Sequence, residues 1–467
     1  MFDFGDSHLH HKLTEWSQTY GDFFSYTMAQ SPVIVLSSPE VLSDLLLKRG
    51  QKYSSRPRSS AQASLMTQDA RIVQLPYGER FRNAKMFLPF QEYESRQTLK
   101  NLLNEPKAFW EEVSRYSGSI TFSTLLGCRF ERSDAFIPQQ IGLKMQIFFT
   151  NIRPGAWAVD WFPLLDCLPN ILAPWRQKVV DARNQVMPFY SVFYDAMKTR
   201  MVEGTAPDCF VKRLLGESGK AMSETEHLHL MAELLTAGTE TTATTLQWFM
   251  KAAVLYPETI ARAQEELDRV VGHSRFPGWE DQARLPYLAA LTAEVNRWGS
   301  ATPLAFVHAT SEADTYRGKT IPNEATVMVN LYGIHNNPAY YPEPEVFAPE
   351  RFLKDDGRFK SPTSLKTHFA FGVGRRECPG KHVANASLFI MISRILWTFN
   401  VKPKEGALPG AGYSGCFPIF GPAAFECVIE PRSQSALQLV REQADINRPK
   451  EMEDSSLLYD HQLKSLV

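Results

Sequence analysis

The sequence predicts a mainly α-helical protein with a smaller β-rich region, an α+β fold class. Between residues 97 and 270 the apolar residues recur with helical periodicity, and Pro and Gly interrupt the pattern at intervals. Short extended segments lie on both sides of this part. Residues 21–37 predict a β-hairpin, and residues 305–309 and 326–330 predict short strands.

Local signals predict individual helices within this plan. Ser38 before Pro39 has the arrangement of an N-cap ahead of a first helical proline, so a helix is expected to begin there. Residues 224–255 carry one long helical pattern, and residues 382–399 predict a long apolar helix. Residues 154–175 are aromatic and broken by prolines. We favour core packing for this segment, with contact at a membrane interface as the alternative.

Composition and charge exclude several classes of protein. A chain of 467 residues with 44% hydrophobic residues can bury a large core, as one unit or two. The net charge of −1 and the scattered basic residues give no nucleic-acid footprint. The six cysteines include no C-x-x-C pair, so neither zinc nor dithiol chemistry is expected, and a reduced, cytosol-facing protein is the simplest interpretation. Residues 1–19 are expected to form a short N-terminal segment without an anchor or signal.

The most specific motif is the sequence FGVGRRECPG at residues 371–380, which places Cys378 just before the long apolar helix. A thiolate that binds haem iron must stay deprotonated, so it needs positive charge and backbone N–H donors near the sulfur. Arg375, Arg376 and a helix start near Gly380 are expected to supply them. We therefore predict that Cys378 is the iron ligand. The alternative is a buried, inert cysteine.

The same loop contains residues suited to a flat cofactor. Gly374 and Gly380 allow a tight turn and a close approach to the macrocycle, and Phe371 is expected to lie against the porphyrin or to shield the sulfur. The full pattern F-x-x-G-x-R-x-C-x-G resembles the haem-binding loop of the cytochrome P-450 family. Ala384, six residues after the cysteine, also fits the helix that follows this loop in the family.

A second pattern, AGTETT at residues 237–242, lies inside the long predicted helix although glycine and successive threonines disfavour helix. Threonine hydroxyls there can bond back to carbonyls one turn earlier and bend the helix. Dioxygen chemistry at a haem needs a gap, a hydroxyl donor and a carboxyl route for protons. We assign Gly238 the gap, Thr241 the hydroxyl and Glu240 the carboxyl. The segment resembles the oxygen-binding groove of the same family, in which Asp is commoner than Glu.

A third pattern pairs Glu294 with Arg297, which are three residues apart and share one helix face. The resemblance implies that both form a buried ion network with Arg351 and brace the cysteine loop. Their role is then structural, because a buried network leaves an unpaired charge when one partner is lost. The alternative is a solvated pair that contributes little.

The resemblance also implies ligands for the two haem propionates and a substrate pocket. Arg376 and His308 match family positions that bind propionates. In the helix after residues 77–80 the family presents a W-x-x-x-R pair, whereas this chain has Phe81 and Lys85, so Lys85 offers a point charge in place of a forked donor. The matching pocket segment is apolar and predicts a hydrophobic substrate. It consists of Pro303, Leu304, Ala305 and Phe306, with residues 59–74 and 416–420 as weaker candidates.

Together the motifs cover residues 20–431, and the chain is identified as a member of the cytochrome P-450 family, most similar to fungal members of secondary metabolism. The resemblance implies a haem-thiolate monooxygenase domain that binds haem b at residues 20–431. Such a domain inserts one oxygen atom of O2 into a hydrophobic small molecule, a terpenoid or other secondary metabolite. Its electrons come from NADPH through an NADPH–cytochrome reductase. The expected docking face is basic and comprises Arg375, Arg376, Lys381 and Arg82.

Several alternatives stay open at this point. The same scaffold could act as a reductase-independent isomerase or peroxygenase, or the chain could be an inactive or truncated haem-binding relative. Residues 432–467 are expected to form a polar tail without an assigned function. A monomer is expected. The family location is the cytosolic face of the endoplasmic reticulum, and without an anchor a cytoplasmic or peripheral membrane location is the expectation.

Overall fold

The structure is a computed structural model, and it confirms the predicted fold class of a mainly α-helical protein with small separate sheets. It describes residues 9–28, 31–57, 65–66, 88–153, 155–216, 222–360, 368–449 and 452–464. The α-helices are α1 Leu9–Tyr20, α2 Pro39–Leu42, α3 Leu88–Asn104, α4 Phe109–Leu126, α5 Phe136–Ile152, α6 Ala158–Trp161, α7 Pro174–Val202, α8 Phe210–Leu215, α9 Glu224–Leu255, α10 Pro257–Val270, α11 Pro286–Trp298, α12 Leu331–His335, α13 Lys381–Thr398, α14 Gln434–Gln443 and α15 Ser455–Lys464.

The strands are short and concentrate near the two ends of the chain. They are β1 Phe23–Met28, β2 Ser31–Leu36, β3 Cys128–Arg129, β4 His308–Ala309, β5 Asp314–Tyr316, β6 Lys319–Ile321, β7 Thr326–Val329, β8 Phe399–Pro403, β9 Tyr413–Cys416, β10 Ile419–Pro422, β11 Cys427–Pro431 and β12 Glu453–Asp454. Strands β1, β2, β7 and β4 form one sheet in that order, in which β2 and β7 are parallel. The predicted hairpin is the antiparallel β1–β2 pair.

The main sheet buries both of its faces, as the alternation of side chains along its strands requires. Ile34 and Leu36 belong to one apolar cluster, whereas Val33 and Val35 belong to another on the opposite face. Ser38 starts helix α2 beside this sheet, because its hydroxyl accepts a hydrogen bond from the Val41 N–H at 3.2 Å. The sheet is thereby fixed to the helices on both sides.

Helix α9 has the bounds that the sequence predicts. Ser223 and Glu226 form a capping box at its start: each side chain accepts a hydrogen bond from the other residue's backbone N–H. Its 32 residues span about 48 Å. Helices α4, α7, α10, α11 and α13 pack against it, so α9 supports the residues on its surface from several directions.

The described part of residues 432–467 packs onto the helical domain. Helix α14 contacts α3, strand β12 pairs in parallel with β3, and helix α15 lies against α5 and α7. Tyr459 and Leu463 are buried in the cluster that contains Phe193, and the Tyr459 and Phe193 ring centroids are 4.9 Å apart. A segment with a polar composition thus contributes apolar side chains to the core.

The connector between α5 and α7 exposes apolar surface. Trp157, Leu165 and Trp175 pack against the helical cluster, as core packing of residues 154–175 predicts. Leu164 and Ile171, however, are 76% and 89% exposed. Among the residues that the structure describes, no helix is both long enough and apolar enough to cross a membrane.

The packing of α15 predicts a stability effect far from the candidate site. We expect Tyr459→Ala to lower the free energy of unfolding by about 3 kcal/mol or more, because it removes a buried aromatic ring. The matched control is Leu408→Ala at a position that is 71% exposed, where the change should stay within about 0.5 kcal/mol. Urea unfolding followed by fluorescence measures both. Equal midpoints for the two variants would show that α15 does not stabilise the fold.

Candidate active site

The cysteine loop turns tightly before helix α13. The Gly372 N–H donates to the Phe369 carbonyl, and the Cys378 N–H donates to the Phe371 carbonyl, each at 2.8 Å. Phe371 is half-buried, and its ring centroid lies 6.0 Å from that of His368. These bonds hold Cys378 directly before the first turn of α13.

Two glycines in the loop have different reasons to be glycine. Gly374 has φ 75°, and a Cβ there would collide with the carbonyl oxygen of Leu46 in the π-helix Ser43–Lys48. A contact with the protein's own backbone therefore requires this glycine. Gly380 has φ −81°, and a Cβ would lie at an ordinary 3.8 Å from the Cys378 sulfur. The predicted approach of both residues to a macrocycle stays a prediction.

Protein surrounds Cys378, yet its side chain is open to solvent on one side. Burial raises the pKa of its thiol above the ordinary value, and the Glu377 carboxylate raises it further. The N–H groups of Gly380 and Lys381 donate to the sulfur, and these bonds and the Lys381 charge oppose the shift. The loop alone does not hold a thiolate at neutral pH. A metal ion does, because it deprotonates a coordinating thiol outright.

Neither arginine of the loop directs its charge at the Cys378 sulfur, although the sequence predicts this for both. The Arg376 Nε donates to the Ser54 carbonyl at 2.9 Å, and burial lowers the pKa of this guanidinium. Arg375 is exposed, with its stem beside Gly50. The charged groups that act most on the pKa of Cys378 are Glu377 and Lys381. Backbone N–H groups are therefore the main stabilisers of a thiolate here.

Arg376 instead forms a half-buried basic cluster with Arg56, beside the buried His308. The Arg56 Nη1 donates to the carbonyls of Phe306 and Val307 at 3.1 and 2.5 Å. Burial lowers the pKa of Arg56 to about 10, and the nearby charge of Arg376 lowers it further. Two guanidinium groups this close favour an anion between or beside them.

His308 lies on β4 beside these two arginines. Its Nδ1 lies 2.9 Å from the Tyr53 carbonyl, which fixes the N–H on that nitrogen. Burial, Arg56 and Arg376 together lower its pKa to about 3, so it is neutral at physiological pH. Lys85, the other predicted propionate ligand, lies outside the described residues, as do Arg82 and most of residues 59–74.

The residues present fit a flat anionic iron porphyrin. The sulfur of Cys378 is accessible to solvent, so an iron atom can reach it. Arg376 of the basic cluster lies only two residues before Cys378 in the chain. Sequence reasoning missed Arg56, because nothing in its neighbours distinguishes it from an exposed arginine. The signal is its tertiary environment, in which the guanidinium is desolvated beside a second one.

Helix α9 shows the threonine back-bonding that its sequence predicts. The Thr241 hydroxyl donates to the Ala237 carbonyl at 2.8 Å, and the Thr245 hydroxyl donates to the Thr241 carbonyl at 2.9 Å. Burial raises the pKa of Glu240, whose charge in turn acts on Tyr190 of helix α7. Burial therefore favours the protonated form of Glu240, which suits its carboxyl group to proton transfer.

Gly238 is placed by packing. A Cβ on Gly238 would lie 2.8 Å from the Thr121 Oγ1 of helix α4, and the Ser117 hydroxyl donates to the Gly238 carbonyl at 2.9 Å. The missing side chain therefore faces α4. Ala237, the preceding residue, is exposed although several other helices pack against α9. Ala237 is the small residue that leaves space beside α9.

The four residues of the predicted pocket segment separate into two groups. Pro303 and Leu304 are buried, and Leu304 packs in the cluster that contains Phe420. Ala305 is half-buried with φ 50°, and Phe306 is 44% exposed. Of this segment, only Ala305 and Phe306 have side-chain surface available to a ligand.

The structure brings Glu294, Arg297 and Arg351 together. Arg297 donates two hydrogen bonds to the Glu294 carboxylate at 2.7 Å, and the Arg351 Nε donates to it at 3.1 Å. The Ala348 N–H adds a fourth donor at 2.9 Å. The side chains of Glu294 and Arg297 are fully buried. Arg297 also donates to the His335 carbonyl at 2.8 Å, which ties α11 to α12.

Comparison with known proteins agrees with this geometry. The family model described as cytochrome P-450 matches residues 1–410. The chain belongs to the cytochrome P-450 family. Its cofactor is therefore a haem whose iron is bound by a cysteine thiolate, and it is a monooxygenase like its named relatives.

The relatives of this cytochrome P-450 come from fungi, as the sequence style predicts. The chain is 32% identical to cytochrome P-450 monooxygenase polD of Polytolypa hystricis, over 93% of this chain and 88% of the relative. It is 32% identical to monooxygenase verL of Clonostachys rogersoniana, over 95% and 86%. It is 33% identical to monooxygenase 58 of Postia placenta, over 90% and 85%.

The buried network predicts a large effect of one substitution in this cytochrome P-450. We expect Arg297→Met to lower the free energy of unfolding by about 3–5 kcal/mol, because it leaves the buried Glu294 carboxylate without its main partner. The control is Arg358→Met, which breaks an exposed pair with Asp356 and should cost less than about 1 kcal/mol. Thermal unfolding monitored by circular dichroism compares them. Similar losses in both variants would mean that the network does not brace the fold.

Proposed function

We propose that this cytochrome P-450 inserts one oxygen atom of O2 into a C–H bond of a hydrophobic small molecule, a terpenoid or another secondary metabolite. Its electrons come from NADPH through an NADPH–cytochrome reductase. The observation that carries the proposal is Cys378, enclosed by protein but open at its sulfur and bonded to the N–H groups at the start of α13. The substrate class rests on the likeness to fungal members of the family.

Each chemical task has a residue in the structure that can perform it. When bound, haem supplies the thiolate-ligated iron that activates dioxygen and oxidises C–H bonds. Cys378 would hold the iron, and Arg56 and Arg376 would bind the propionates, whereas the neutral His308 has already given its N–H to the Tyr53 carbonyl and has no donor left for them. Glu240 would supply protons, because burial raises the pKa of its carboxyl group and so favours the protonated form.

Thr241 is the hydroxyl through which protons reach the pocket. Its Oγ donates to the Ala237 carbonyl, so the hydroxyl must turn away from that carbonyl before it can donate to another group. The Oγ can still accept a hydrogen bond while this bond is formed, because a hydroxyl has acceptor lone pairs as well as one donor. Ala237 and Phe306 offer apolar surface nearby, which supports a hydrophobic substrate.

The exposed apolar connector between α5 and α7 supports peripheral contact with a membrane. In this proposal the protein is a monomer at the cytosolic face of the endoplasmic reticulum. Leu164, Ile171 and Leu172 present large apolar side chains to solvent there. Such side chains can insert at the boundary between headgroups and acyl chains. Contact of this kind places the protein beside a membrane-bound reductase.

The cysteine loop also supports a docking face for an acidic reductase. Arg375 is exposed, whereas Lys381 is paired with Glu377 at 2.8 Å and Arg376 is turned inward. Arg375 therefore carries more of the available positive charge than Lys381.

A charge reversal tests this face. We expect Arg375→Glu to slow the first electron transfer about three- to tenfold at low salt, because rim charges mainly set the association rate. The control is Lys178→Glu on helix α7, also exposed. Stopped-flow reduction under carbon monoxide measures both rates over a range of salt. The docking proposal fails if the two variants are reduced equally fast.

The central experiment is the carbon monoxide difference spectrum of the dithionite-reduced protein. We expect a strongly red-shifted Soret band in the wild type that disappears in Cys378→Ala and persists in Cys427→Ala, which changes a half-buried cysteine on β11. Substrate turnover is then compared with NADPH and reductase, and with peroxide alone. A band unaffected by Cys378→Ala would overturn the ligand assignment, and turnover without reductase would favour peroxygenase or isomerase chemistry.

A further inference from the structure

Glu233 is a half-buried carboxyl group to which the oxygen chemistry assigns no task. It lies on helix α9, one turn before Ala237 and two turns before Glu240 and Thr241, so all four share one face of the helix. Within the described residues its carboxylate has no hydrogen bond and no ion pair. A carboxyl group that is partly withdrawn from water and has no protein partner is available to a ligand.

The charges around Glu233 come from the basic cluster. Arg56 and Arg376 act on it electrostatically, and they are the two cations that face it. Burial raises its pKa to about 7 in spite of these charges. The carboxyl group is thus more strongly desolvated than it is stabilised by the protein.

Two roles fit such a group, and the hydrogen bonds distinguish them. A residue that braces the arginines would accept hydrogen bonds from their guanidinium groups. Instead Arg56 donates to the carbonyls of Phe306 and Val307, and Arg376 donates to that of Ser54. The arginines are positioned by backbone atoms, and the Glu233 oxygens remain free to bind a ligand.

We propose that Glu233 accepts a hydrogen bond from a hydroxyl group of the substrate and thereby orients an otherwise apolar molecule along Ala237. This inference rests on the proposed function, because it assigns the substrate class of the same pocket. A hydroxyl group fits better than an ammonium group, because an uncharged group loses less hydration on entering the pocket.

A hydrogen bond between Glu233 and a substrate hydroxyl lets the pocket select substrates that carry this hydroxyl. A substrate analogue without the hydroxyl leaves the Glu233 carboxyl group unpaired and desolvated, and sites built to pair a polar substrate group reject such analogues strongly. The hydroxyl also fixes which carbon atoms lie beside Ala237 and Thr241. Glu233 is then a specificity-determining residue, distinct from the proton-supplying Glu240.

The test uses the haem-loaded full chain and a panel of matched probes. Each set contains an alcohol, its methyl ether and the corresponding primary amine, built on linear C8 to C16 chains and on monocyclic terpene skeletons. Calorimetry gives the dissociation constants for the wild type and two variants. Glu233→Leu removes the carboxyl group, and Glu224→Leu makes the same change at an exposed position of the same helix.

We expect at least one alcohol to bind the wild type and Glu224→Leu about tenfold or more tighter than its ether, the factor typical of a hydrogen bond to a charged group. In Glu233→Leu this preference should fall below about threefold. No alcohol preference across the panel, or an unchanged one in Glu233→Leu, overturns the inference. Tighter binding of the amines overturns the choice of a hydroxyl.

Haem content, measured first by the carbon monoxide difference spectrum, separates this inference from the proposed function. A wild type without the red-shifted band refutes the function itself. A wild type with the band, beside a Glu233→Leu variant that has lost it, shows instead that Glu233 supports the arginines. Only the second result bears on Glu233 alone.

Discussion

The packing of helix α9 against helix α4 determines where the candidate site lies. Gly238 permits the approach, because its missing side chain would meet Thr121, and the Ser117 hydroxyl bonds to its carbonyl. With that side of the helix in contact with α4, Ala237 and its neighbours one and two turns away face the uncovered side. A larger residue at 238 would push the two helices apart and shift the hydroxyl and carboxyl groups that α9 presents.

Glu294, Glu233 and Glu240 differ in how their charges are compensated. Glu294 accepts four hydrogen bonds from two arginines and one backbone N–H, so its charge is compensated and it holds α11 against the segment around Arg351. Glu233 and Glu240 are desolvated but lack comparable hydrogen bonds to their carboxylates, so their pKa values lie above the ordinary carboxyl value. Compensated charges brace the structure, whereas uncompensated ones are available for protons or ligands.

At Cys378 the protein and its cofactor contribute different parts of the thiolate site. Two N–H groups at the start of α13 point at the sulfur, but burial and Glu377 still keep the pKa of the thiol above its ordinary value. The loop therefore positions the sulfur, and the iron must contribute the charge that makes it a thiolate. The arginines beside the cysteine serve other purposes, since Arg376 binds toward the β-rich region and Arg375 faces solvent.

The amino-acid sequence alone determined the fold class, the bounds of α9 and the cysteine loop, because these depend on local periodicity, capping and a contiguous motif. The tertiary structure decided what each side chain faces. Arg56 meets the carbonyls of residues 250 positions away, Gly238 turns toward α4, Leu304 enters the core and α15 packs on α5 and α7. No local pattern encodes these contacts, because they form between elements that come together only when the chain has folded. The burial of a side chain and the charges near it depend on the same contacts.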